Sequence, residues 1–232
     1  MRPGRLLAGL AWAMAVAVAL PFSHPDEIRD RGAAGTSARA GLSVASFQAG
    51  AEVFRREFPT CLADDGTPEP PDAVLTEAVW QGDFAAWLAA DFGGIVPPGL
   101  SRRLDPPAQA ALVDFLRVHL AGREMAVWSR WQHPLPAPEV ELRCGDEVRP
   151  LAAWRGGDVR LSAVDGRLDL GSCTVATPGA WEVYALLAGL PPALLPGTTF
   201  VIDADGMLAA RELPGPGRSL PGPIASIRIH TH

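Results

Sequence analysis

Thr198–Gly215, TTFVIDADGMLAARELPG, constrains this chain more than any other stretch. An apolar run rich in β-branched residues meets Asp203-Ala204-Asp205-Gly206 and returns as a second apolar run. Glycine supplies the positive φ that a tight reversal needs, so the segment reads as a β-hairpin. A hairpin of this kind belongs to a sheet, and the other strands must lie upstream of it.

From Glu139 the residue period is two. Val140, Leu142 and Cys144 alternate with polar residues, and Val159–Val164 is a second strand ending at Asp165-Gly166. Pro178–Leu190 reads as a helix with Thr177 at its N-cap, Pro178 in its first position, and Gly189 and Pro191 marking its end. The order β, β, α, β, β predicts helix and strands on one sheet. Before Glu139 the period is helical. Phe47, Val53, Phe54 and Phe58 suit a short amphipathic helix, and Ala73–Phe92 suits one or two helices broken near Gly82-Asp83. Asp105 caps a third helix with Pro106 at its first position, an apolar face over Ala110–Leu120, and Gly122 as its stop. The expected fold class is α+β. A helical domain spans 46–122, a connector 123–138 and a sheet domain 139–213, with a Pro/Gly-rich tail over 214–232.

The N-terminus predicts export. Arg2 and Arg5 precede the uncharged run Leu6–Leu20, and polar residues take over after Phe22. Residues 1–22 therefore read as a signal peptide or short signal anchor, and 23–45 as a Pro-, Gly- and Arg-rich linker. The expected location is the periplasm, either free or anchored to the membrane through the N-terminal segment. All 20 basic residues are Arg, scattered and not interleaved with aromatics, and the net charge is −6, which argues against a nucleic-acid partner.

Export gives the cysteines their meaning. Cys61, Cys144 and Cys173 are an odd number, so at least one stays free or pairs outside the chain. Cys144 and Cys173 fall in the same expected domain and form the expected pair.

The segment from Pro136 to Gly215 resembles the membrane-tethered thioredoxin-like and redoxin proteins of bacteria. PAPEVELRCGDEVRPLAAWRG is similar to their opening, a short hairpin before a Leu-x-x-Trp-Arg-Gly phrase. VRLSAVDG is similar to a central strand, ATPGAWEVYALLAGL to the helix before the conserved Pro loop, and LPGTTFVIDADGMLAARE to that loop and the closing hairpin. The resemblance implies a thioredoxin-like α/β domain, yet the Trp-Cys-x-x-Cys that does the family's chemistry is missing. Val164 is followed by Asp165-Gly166-Arg167, and Gly197 intervenes between Pro196 and the Thr-Thr-Phe strand. The N-terminal half has a faint resemblance to a c-type cytochrome domain in AGAEVFRREFPTC and LDPPAQAALVDFLRVHL, without the Cys-x-x-Cys-His that attaches haem. A degenerate redoxin scaffold implies a non-enzymatic accessory protein of an envelope redox or metal-containing system, with an envelope or membrane protein as partner. The alternatives are a thiol oxidoreductase using Cys173 with Cys144, and a periplasmic copper-binding protein.

Other residues invite chemistry. Cys173 precedes a helix whose dipole favours a thiolate. His230 and His232 form His-x-His, which on a strand points two imidazoles to one face and suits copper; no other cofactor is expected. His119, Met125 and His133 are types that ligate haem iron or copper, although His119 reads as a surface residue of its helix. Asp203 and Asp205 fall short of a calcium loop and read as the hairpin turn.

Overall fold

The computed structural model describes residues 42–214 except 91, 93, 155 and 156. The expected signal segment, most of the expected linker, and residues 215–232 with His230 and His232 lie outside the described residues.

The helical half is organised by one long helix crossed by a shorter one. The Ser43 hydroxyl accepts the Ser46 amide and opens α1 (Val44–Glu57), and the Asp105 carboxylate accepts the Ala108 amide. Between these caps lie 3₁₀ turns at Pro59–Cys61, Asp72–Val74 and Glu77–Gln81, and the short helices α2 (Phe84–Leu88) and α3 (Leu100–Arg103). The expected break at Gly82-Asp83 is present: Gly82 takes φ 67° and Asp83 caps α2. After Asp105 comes α4 (Pro106–Trp128). Phe47 and Phe54 of α1 pack on Phe115 of α4, with centroids 5.3 and 5.2 Å apart. Gly50 allows the close crossing, since a Cβ there would stand 2.7 Å from the Ala111 carbonyl carbon.

Helix α4 is longer than its sequence suggests. Gly122 does not stop it; the helix runs on to Trp128 and ends at Ser129 in the left-handed conformation, φ 58°. Gly122 is instead a packing position. A Cβ there would lie 3.0 Å from the Leu186 carbonyl carbon and closer still to its oxygen, so only glycine lets the helix before the closing hairpin approach. That helix, α5, is shorter than expected, Ala180–Leu187, with Gly179 rather than Thr177 at its N-cap. The Thr177 hydroxyl is used elsewhere, accepting the Glu141 amide at 2.7 Å.

Seven strands form one sheet: β1 (Glu141–Cys144), β2 (Glu147–Pro150), β3 (Val159–Val164), β4 (Arg167–Leu170), β5 (Cys173–Val175), β6 (Thr199–Ile202) and β7 (Leu208–Glu212). Their order is β2-β1-β5-β4-β3-β6-β7, every neighbour antiparallel, and the chain is α+β. Asp165 and Gly166, at φ 43° and 83°, join β3 to β4 in two residues. A link that short permits only antiparallel pairing, whereas a parallel neighbour needs a crossover of a dozen residues or more. Leu142, Leu161, Ala163, Leu168, Phe200 and Ile202 fill the covered face. Register sets Arg143, Thr174, Asp169, Ser162, Thr199 and Glu212 in one polar row on the other face. The core runs without interruption from Phe54 and Leu116 to Leu161 and Phe200, so the segments 46–122 and 139–213 share it.

Candidate functional site

The cysteine chemistry is fixed by register. Leu142 pairs Val175 and Arg143 pairs Thr174, which sets Cys144 directly opposite Cys173. The two are joined by a disulfide with Cα atoms 4.4 Å apart, the spacing of a directly opposed, non-hydrogen-bonded antiparallel pair. Cys173 lies within β5, on the covered face, and is 3% exposed. It precedes α5 by several residues and its sulfur is committed to the bridge. Cys61, at the end of a 3₁₀ turn, is the free cysteine, half-buried beside the Thr60 hydroxyl.

The richest polar cluster is one that sequence reading missed. Glu124 sits on the buried side of α4, in phase with Leu120 and Ala121, yet is a carboxylate. Its oxygens collect three N–H groups from two segments, the Glu77–Gln81 turn and the connector after α4. Oε1 accepts from the Trp80 indole at 3.2 Å, Oε2 from the Gln132 amide at 2.8 Å, and His133 Nδ1 lies 3.0 Å from Oε1. A carboxylate oxygen only accepts, so His133 donates to it through Nδ1–H. The other ring nitrogen, Nε2, faces Glu77 Oε1 at 3.7 Å. The imidazole also stacks on Trp80, with centroids 4.8 Å apart. The cluster ties the connector after α4 to the Glu77–Gln81 turn. The available sequence signal is Glu124 itself, a charge on the apolar stripe of a helix, which demands partners.

Beside His133 runs a groove of about 400 Å³, lined among others by Met125, Trp131, Leu208 and Arg211. Two of these residues finish α5: the Trp131 indole donates to the Leu187 carbonyl at 3.1 Å and the Arg211 guanidinium donates to that of Ala188. A cation at a helix C-terminus is favourably placed, although burial lowers the pKa of Arg211.

The remaining candidates disperse. His119 is wedged between Phe47 and Phe115 instead of standing on the surface, and burial drops its pKa to about 4. Asp114, one turn before Val118, is pushed the other way: burial raises its carboxyl despite the Ser46 hydroxyl at 2.6 Å and Arg117. Met125 is buried and shares the groove with His133, but His119 does not join them there. Asp203 closes the hairpin turn, its Oδ1 accepting the amides of Asp205 and Met207. Tyr184 is fully buried against Phe200 and its hydroxyl pKa is raised by burial and then by the charge of Glu139. Among the described residues no three His, Cys, Asp or Glu side chains gather as a metal site, and no helix is long and apolar enough to cross a membrane. Comparison with protein-family models, curated proteins and solved structures finds no match.

Proposed function

We propose that this chain is an exported, non-catalytic accessory protein of the bacterial envelope, a degenerate thioredoxin-like scaffold that keeps the antiparallel β3–β6–β7 edge and lacks both the parallel strands and the thiol chemistry. The observation that carries the reading is the Cys144–Cys173 bridge. A thiol catalyst needs an accessible, low-pKa thiolate with a resolving thiol beside it. Cys173 is buried in a strand opposite its partner, and the bridge staples β1 to β5. A disulfide in this place suits an oxidising compartment and a structural purpose. The two-residue turn at Asp165-Gly166 stands where the redoxin family carries its cysteine-bearing helix, which supports loss of the active corner. The β6–β7 hairpin after Gly197, paired to β3, is the part of the sheet that supports the resemblance. On this reading the protein acts by holding an envelope or membrane partner, with the N-terminal segment bringing it to the membrane surface.

The test is insulin reduction with a dithiol donor present. The accessory reading predicts turnover no faster than the donor alone. Catalysed reduction that disappears in Cys173→Ser would establish the oxidoreductase alternative instead. Membrane fractions cross-linked with the full chain are expected to yield one recurrent protein partner, and recovery of the chain alone would argue against the accessory role.

A further inference from the structure

We infer that His133 and Glu77 form a binding site for a divalent metal ion of the Zn²⁺ or Cu²⁺ type, with Glu124 as the residue that positions the imidazole. The inference stands independently of the accessory role. Its basis is how the ring is held. A metal-bound histidine characteristically donates its second ring N–H to a carboxylate, which fixes its tautomer and makes it a better ligand. Glu124 does this for His133: the carboxylate is buried, is fixed by Trp80 and the Gln132 amide, and takes Nδ1–H at 3.0 Å. The Trp80 stack sets the plane of the ring. Nε2 is thereby aimed outward, at Glu77.

What it faces is a second ligand. Glu77 Oε1 lies 3.7 Å from Nε2, and the Glu77 side chain is 86% exposed. Metal–nitrogen and metal–oxygen bonds of about 2.1 Å at a tetrahedral angle place their donor atoms about 3.4 Å apart. The present spacing is thus close to that of two ligands on one ion, and an exposed glutamate closes the difference by a small rotation. Water is left to complete the coordination from the open side. An imidazole nitrogen with one carboxylate oxygen suits Zn²⁺ and Cu²⁺ better than Mg²⁺ or Ca²⁺, which prefer oxygen-only sets. A bound ion would link the Glu77–Gln81 turn to the connector after α4, replacing a long contact by two bonds.

The experiment is titration of ¹⁵N-labelled full-length protein with ZnCl₂, followed by long-range ¹H–¹⁵N correlation of the histidine rings. The His133 signals are assigned by their loss in His133→Gln, which separates them from His230 and His232. Zn²⁺ is expected to shift His133 Nε2 while Nδ1 stays protonated. Glu77→Gln, a surface change, is expected to weaken that response at least tenfold, and Glu124→Gln by 10- to 100-fold, the usual loss when such a supporting carboxylate is removed. A His133 ring that does not respond at millimolar Zn²⁺, or an affinity at His133 that is unchanged in Glu77→Gln, would overturn the site.

Discussion

Replacing Gly122 by alanine tests how the two halves of the molecule are joined. On sequence rules the change should help. Alanine is about 1 kcal/mol better than glycine inside a helix, and α4 runs six residues past this point, from Gly122 to Trp128. The packing says otherwise. The new Cβ would stand 3.0 Å from the Leu186 carbonyl carbon and nearer to its oxygen, both backbone atoms that no rotamer change can move. Gly189 adds to the crowding, because a Cβ there would already lie 2.7 Å from the Gly122 carbonyl oxygen. Relief requires α4 and α5 to part by about 1 Å, which forfeits a quarter to a half of each dispersion contact along their crossing. Overpacking of this kind costs about 1–3 kcal/mol, and a rigid backbone contact belongs at the upper end. The net expectation for Gly122→Ala is a loss of about 2 kcal/mol, seen as a lower urea midpoint with an unchanged slope. Gly157→Ala, where among the described residues no atom beyond the chain neighbours lies within 4 Å of the added carbon, is the control and should be near neutral. If Gly122→Ala is as stable as the parent or more so, helix propensity has won and the close crossing is refuted.

Reduction of the Cys144–Cys173 bridge, or its replacement by paired serines, opens a loop with a sequence separation of 29 and should lower stability by about 3.5 kcal/mol in calorimetry. His119, with its pKa lowered to about 4 by burial, makes stability fall with acidification. Below pH 6.5 the unfolded chain binds a proton that the folded chain refuses, so the stability is complete above that value, declines toward pH 4 and is flat beneath it. The full loss is about 3 kcal/mol, with the raised carboxyl of Asp114 opposing it at the acid end. Denaturation midpoints of His119→Phe should lack this slope between pH 6.5 and 5. Copper titration by calorimetry should show a binding event in the full chain that is missing from a version ending at Ile229, if His230 and His232 act together.

Local signals were readable in the sequence where the chemistry was local. Asp105-Pro106 opens α4 as a cap and first-turn pair should, and Asp165-Gly166 and Asp203–Gly206 reverse the chain where they stand. Elements decided by distant partners were not readable. Gly122 carries the same letter whether it ends a helix or admits a neighbour, and the deciding atom belongs to Leu186. Strands β4 and β5 have too few residues for alternation to register, and they exist because β1 and β3 supply their hydrogen bonds. The Cys144–Cys173 pair followed from shared location and cysteine count. The cluster around Glu124 did not, because Trp80 and His133 come to it from separate segments with no spacing that marks them.

The accessory reading depends most on the bridge being structural, and counting thiols in the native, oxidised protein under a redox titration tests that most directly. The account predicts one reactive thiol per chain, Cys61, and a Cys144–Cys173 bond that resists glutathione at cytosolic poise until the protein unfolds. Rapid exchange of the bond with a small thiol in the folded protein, accompanied by catalysed reduction of a disulfide substrate, would contradict it.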